Sequence, residues 1–159
     1  LDLRNLGTDK LLDLPPFIAS VTASAVPVIA AVNGPAVTGG FELALALTPP
    51  TPRRGLMLID PSWEVKADYE TIPRHMANIH RKWNVGILIL WYPILKGGLH
   101  GPMLKALETA FPEGLRHEVR FPPAREGHRM EGSGLFIVNP PYGLAEETAR
   151  LTAMFKALR

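Results

Sequence analysis

Four consecutive apolar residues, Leu56-Met57-Leu58-Ile59, follow the proline-rich stretch Thr48-Pro-Pro-Thr-Pro52 and lead into Asp60-Pro61. A run this short and this unbroken is the pattern of a strand covered on both faces, as in a parallel sheet flanked by helices. A parallel partner requires a crossover. Residues Ala67 to Trp83 supply one, with Tyr69, Ile72, Met76, Ile79 and Trp83 at helical spacing and Pro73 as a kink or restart. Gly86-Ile-Leu-Ile-Leu-Trp91 then gives the next buried strand, and the helix should cross between the two. Asp60 falls at the carboxyl end of its strand, where open α/β sheets place ligand chemistry.

The rest of the chain extends this pattern. Leu3, Leu6, Leu11, Leu12 and Leu14 hint at a short helix stopped by Pro15-Pro16. Val26 to Val32 reads as a short buried strand, Asn33-Gly34-Pro35 as a turn, and Thr38 to Leu47 as a helix with Thr38 at its N-cap. That strand is expected beside Leu56 to Ile59, covering an edge that would otherwise invite oligomerisation. Downstream, Tyr92-Pro93 marks a strand end where an aromatic could flank a ligand, and Met103 to Phe111 is helical. Leu115 to Phe121 alternates as an edge strand does, Pro122 to Gly132 is a charged loop, and Ser133 to Val138 pairs back. Ala145 to Leu158 is an amphipathic helix with Leu151, Met154, Phe155 and Leu158 on one face. The expected fold is α/β, a mainly parallel sheet flanked by helices with a terminal antiparallel strand pair. Pro52 divides it into blocks 1–51 and 52–159.

A chain of 159 residues is long enough to bury a core. It has no cysteine, so disulfides and thiolate metal sites are excluded, in keeping with a cytoplasmic location. No apolar run approaches the length that spans a membrane. Charge is uneven. Before residue 52 there are two basic and four acidic residues, and after it fifteen basic and eleven acidic, so the basic excess lies in the second block. That is the balance of a part that meets a polyanion such as RNA, and equally of a solvated surface. Basic residues gather at Arg74, His75, His80, Arg81 and Lys82, and at Arg116, His117, Arg120, Arg125, His128 and Arg129. Among the latter, Arg116, Arg120, Arg125 and Arg129 are the candidate RNA contacts. The five histidines have no spacing that reads as a zinc site and are expected at the surface.

Asp60-Pro61-Ser62-Trp63 closely resembles the Asp-Pro-Pro-aromatic signature of S-adenosylmethionine-dependent methyltransferases acting on exocyclic amines of nucleobases. An adenine amine is a poor nucleophile because its lone pair is delocalised into the ring. A carboxylate and a carbonyl on a proline-fixed backbone can both accept its hydrogen bonds while an aromatic ring stacks on the extruded base. Those roles would fall to Asp60, the Pro61 carbonyl and Trp63. The alternative is a strand-ending turn with Trp63 in the core. Three segments, Arg53 to Tyr69, Leu90 to Pro93 and Ser133 to Leu144, occur in the order found in bacterial large-subunit ribosomal RNA adenine-N6 methyltransferases, and the chain from Pro52 resembles the carboxyl half of that family. The resemblance implies a truncated, Rossmann-like methyltransferase domain, S-adenosylmethionine as cofactor and RNA as partner. Ser62 stands where the family has its second proline. Asn139-Pro-Pro-Tyr142 looks like a second such motif, but in the resembled family it closes a terminal strand, so a structural role is expected.

Val26 to Leu47 is similar to the oxyanion-hole segment of the crotonase superfamily of enoyl-CoA hydratases and isomerases. In that resemblance the Gly39 amide would hold an enolate oxygen and Glu42 would act as acid/base. Packing of a helix on its strand explains the same glycines, and Glu42 also suits the positive end of a helix. The two resemblances together suggest a fusion or chimera. A start at Leu1 and the absence of a recognisable glycine-rich cofactor half suggest a fragment with little or no activity.

Overall fold

The computed structural model describes residues 29–34, 39–51, 53–122 and 127–157. The expected amino-terminal helix and the Thr38 N-cap lie outside them. Five strands, β1 (Ile29–Gly34), β2 (Leu56–Pro61), β3 (Ile87–Leu95), β4 (Leu115–Arg120) and β5 (Met130–Val138), form one sheet in the order β1-β2-β3-β5-β4. Four helices complete the described chain: α1 (Gly39–Leu47), α2 (Asp68–Lys82), α3 (His100–Ala110) and α4 (Leu144–Ala157).

The two apolar runs behave as expected. β2 and β3 are adjacent and parallel, with Leu56 opposite Ile87 and Ile59 opposite Leu90, and α2 crosses between them. β1 lies on the other side of β2, also parallel, with Ile29 opposite Leu56 and Gly34 opposite Pro61. Asn33-Gly34 therefore belongs to a strand, because ladder pairing with Asp60-Pro61 outweighs its turn chemistry. Since β1, β2 and β3 advance in one direction, right-handed crossovers put α1 and α2 on one face of the sheet, and the contacts of α2 with both α1 and α3 agree. Met57 and Ile59 of β2 and Leu88, Leu90 and Tyr92 of β3 join a core with Phe41, Ile72, Met76, Ile79, Met103, Leu104 and Leu107 from those helices. Each fully buried aliphatic side chain contributes about 1.5–3 kcal/mol. That burial carries α2 through Pro73 without a restart, offsetting a cost of about 3 kcal/mol for proline inside a helix.

The sheet is mixed rather than mainly parallel. β5 inserts between β3 and β4 and runs antiparallel to both, so two of the four junctions are antiparallel. β4 is an edge strand, as its alternation indicated. β3 does not stop at Tyr92-Pro93 but continues to Leu95, because β5 pairs with it along that whole length. β5 likewise starts at Met130, inside the stretch expected to be loop. A glycine explains how Tyr92 fits. The row across the sheet is Tyr92, Gly134, Glu118. With no side chain on β5 at that point, the fully buried Tyr92 ring crosses over Gly134 and its hydroxyl donates to Glu118 Oε1 at 3.0 Å. The aromatic expected to flank a ligand is thus a structural tether.

Candidate active site at the carboxyl edge of the sheet

The parallel strands β1 and β2 end side by side, and their register sets Asp60 against Asn33 and Pro61 against Gly34. The site therefore combines a carboxylate with two backbone segments at one edge of the sheet. Asp60 is half-buried and Pro61 buried. Beyond them the chain passes through Ser62 and Trp63 into the first turn of α2, where the Asp68 amide donates to the Val65 carbonyl at 3.0 Å.

Trp63 sits in the core, 8% exposed, with its ring 4.7 Å from that of Tyr69. It is not displayed on the surface as a ready stacking platform. Its backbone has φ +59°, a left-handed conformation that bulky L-residues rarely adopt. Its indole Nε1, the Ser62 hydroxyl and Asp68 Oδ2 are all buried without a hydrogen-bond partner among the described residues. Three such orphans within seven residues is a concentration that structures avoid, and each costs about 1–3 kcal/mol. Asp68 is only 1% exposed, and burial pushes its carboxyl above the usual aspartate range. No sequence signal distinguished Asp68 or the Ser62 hydroxyl, since burial of a polar atom depends on what packs over it.

The other predicted site residues are dispersed. Arg116 donates to Glu118 Oε1 through Nε at 3.0 Å and Nη2 at 2.7 Å, and to Glu108 at 3.3 Å. Arg120 lies 3.9 Å from Glu118. Burial pushes the Glu118 carboxyl up, but bonds from Arg116 and Tyr92 and the charges of Arg116 and Arg120 hold it below the usual glutamate range. Arg129 is exposed just before β5, and Arg125 lies outside the described residues. Gly39 opens α1 and Glu42 lies within it. His100, expected at the surface, is 8% exposed at the start of α3, with Nδ1 unpartnered. Burial holds its imidazole below the usual histidine range. Among the described residues no group of three or more His, Asp or Glu could hold a metal ion. None of the described helices is long and apolar enough to cross a membrane.

Asn139-Pro-Pro-Tyr142 is at the opposite end of the sheet, because β5 runs antiparallel to β3. Asn139 Nδ2 donates to the carbonyls of Asn84 and Gly86 at 2.9 and 2.7 Å, fastening the start of β3, and Tyr142 is fully exposed. These bonds are of the structural kind that the family resemblance implied for the motif.

Residues 31–157 match the family model described as "Ribosomal RNA large subunit methyltransferase D, RlmJ". The match takes in most of β1 and all of α1, within the segment with the crotonase-like sequence, so that segment needs no separate origin. The chain is 35% identical over 109 residues to the ribosomal RNA large subunit methyltransferase J of Escherichia coli K12, covering 68% of this chain and 39% of the relative. It is 33% identical over 106 residues to the protein of that name from Haemophilus influenzae, covering 66% and 38%. A crystal structure of a Legionella pneumophila protein superposes with a TM-score of 0.66 at 32% identity, covering 74% of this chain and 43% of that one. The chain thus spans about two fifths of the length of the curated relatives it matches. With an RlmJ model matched from within β1 to the end of α4, the chain belongs to the RlmJ family of ribosomal RNA large-subunit methyltransferases.

Proposed function

We propose that this chain carries the catalytic edge of an enzyme that transfers a methyl group from S-adenosylmethionine to an adenine N6 amine of ribosomal RNA. The observation that carries the reading is the placement of Asp60-Pro61-Ser62-Trp63 at the carboxyl edge of parallel strands, within a family match that runs through it. Asp60 would accept one amine hydrogen and the Pro61 carbonyl the other, turning the nitrogen lone pair out of conjugation and toward the methyl donor. When bound, S-adenosylmethionine would supply an electrophilic methyl group; as the amine N–C bond formed, the methyl–sulfur bond would break to leave a neutral thioether, and the amine proton oriented by Asp60 would pass to solvent. The chemistry of the edge suits such a group: Gly34, which has no side chain, pairs with Pro61, and three polar atoms unpartnered among the described residues lie in the adjoining loop and at the start of α2. Gly34, Ser62 and Asp68 are the residues we assign to holding it. Base stacking by Trp63 requires the ring to leave the core. What supports that movement is its left-handed backbone and its unpartnered indole N–H.

Arg116, Arg120, Arg125 and Arg129 stay in this reading as contacts to the RNA backbone, although the ion pairs of Arg116 and Arg120 with Glu118 reduce what those two offer. Turnover by this chain should be low, because the described residues include no glycine-rich loop paired with a ribose-binding acid. The test is transfer of labelled methyl from S-adenosylmethionine to unmodified ribosomal RNA by wild type and Asp60→Ala side by side. A wild-type signal lost in Asp60→Ala, with RNA affinity retained, is expected, since the carboxylate acts mainly in the transition state. Equal signal from both removes Asp60 from the mechanism.

A further inference from the structure

The end of the sheet opposite Asp60 carries a second feature. β2 and β3 begin side by side there, with the Ile87 amide donating to the Gly55 carbonyl at 3.1 Å. A cleft of about 510 Å³ opens at that point, lined by Arg53, Arg54, Gly55, Val85 and Ile87. Its frame is fixed. The Trp83 indole donates to the Arg53 carbonyl at 2.6 Å, and a Cβ on Gly86 would lie 2.3 Å from the Trp83 ring, so the two walls are locked through one tryptophan. The side chains of Arg53 and Arg54 are exposed and form no ion pair with any described residue. The chain has no carboxylate between residues 43 and 59 or between 71 and 107, so the two segments that line the cleft carry none to offset them. Arg81 and Lys82, which close α2 next to Trp83, add to the same field.

We propose that this cleft is a docking surface for the phosphodiester backbone of RNA, separate from the catalytic edge. The choice of polyanion rests on the ribosomal RNA reading above. Guanidinium forks match phosphate oxygens in bidentate fashion. Two adjacent arginines on a rigid frame, beside the half-exposed Val85, offer phosphate contacts next to an apolar wall for ribose or base. The spacing suits one strand reaching both ends of the sheet. Gly55 to Asp60 is five strand steps of about 3.3 Å, roughly 17 Å, a distance that about five stacked nucleotides cover.

The test is the affinity of the full chain for a labelled single-stranded ribosomal RNA segment, measured by fluorescence anisotropy across a salt series. Wild type is compared with Arg53→Glu/Arg54→Glu, with the neutral Arg53→Gln/Arg54→Gln, and with Lys105→Glu/Lys156→Glu, which changes net charge equally on exposed helix positions elsewhere. Loss of two phosphate contacts should lower the slope of log K against log salt by about 1.4 and weaken binding about 25-fold near 0.1 M salt. The glutamine pair should show most of that loss, and the lysine control little. An unchanged slope in both arginine variants, an equal loss in the lysine control, or binding of polyglutamate but not RNA overturns the proposal. RNA binding that depends on Arg53 and Arg54, together with methyl transfer that is equal in wild type and Asp60→Ala, would remove Asp60 from the mechanism and leave the docking surface standing.

Discussion

Gly134→Ala should damage this protein far more than one added methyl group suggests. The new Cβ would lie 2.2 Å from Tyr92 Cζ, 2.3 Å from Cε2 and 2.5 Å from the hydroxyl oxygen. The ring cannot yield, because it is fully buried and its hydroxyl is held by Glu118 at 3.0 Å. Overpacking costs about 1–3 kcal/mol. Displacing the ring also breaks a hydrogen bond to an ionised acceptor, about 1.5–3 kcal/mol. Together these give a loss of about 2.5–6 kcal/mol, a large part of a total stability of about 5–15 kcal/mol. The assay is urea unfolding of wild type, Gly134→Ala, Tyr92→Leu and the double variant. Because Tyr92→Leu vacates the space that the methyl needs, the double variant should be more stable than the sum of the singles predicts, by at least about 1 kcal/mol. A Gly134→Ala variant within about 1 kcal/mol of wild type, or strict additivity, would refute the reasoning.

Trp63 and Asp68 give two further expectations. At φ +59° glycine is unstrained and alanine is not, so Trp63→Gly should be more stable than Trp63→Ala by about 1 kcal/mol, although both lose the buried ring; equal melting temperatures would show that the loop relaxes. The raised pKa of Asp68 means that the folded state holds its proton more tightly than the unfolded one, so its charge costs stability increasingly as pH rises above the ordinary aspartate value. Asp68→Asn should therefore stabilise the protein at neutral pH, with the gain vanishing in acid where Asp68 is protonated; denaturant midpoints across that pH range check it, and a gain independent of pH would exclude the carboxylate as its source.

Local pattern was enough for the parallel centre of this fold. Two unbroken apolar runs separated by a helix-periodic stretch admit few arrangements other than a β-α-β crossover, and a strand-and-helix unit upstream has an obvious place beside them. The same reasoning located Asp60, because the residue after a buried strand in such a sheet falls at its carboxyl edge. The two proline motifs were told apart only through the family resemblance, and the structure adds that Asn139 follows a strand that runs the other way. The limits of strands were less legible. Asn33-Gly34, Tyr92-Pro93 and residues 130–132 carry turn or loop chemistry, yet each is drawn into the ladder by a partner distant in sequence.

Sequence alone therefore determined what depends on neighbours along the chain: which segments are buried strands or amphipathic helices, the crossover that makes β2 and β3 parallel, and the residue types offered at the edge. The tertiary structure decided what depends on residues far apart. β5 enters between β3 and β4 and makes the sheet mixed, and across it Gly134 leaves room for Tyr92 to reach Glu118. Trp63 is in the core, and Ser62, Trp63 and Asp68 have polar atoms without partners, because burial and hydrogen bonding are set by what packs over a side chain. Arg53 and Arg54 were an unremarked pair beside a proline in sequence, and only the meeting of two strand starts with Trp83 turned them into the rim of a cleft.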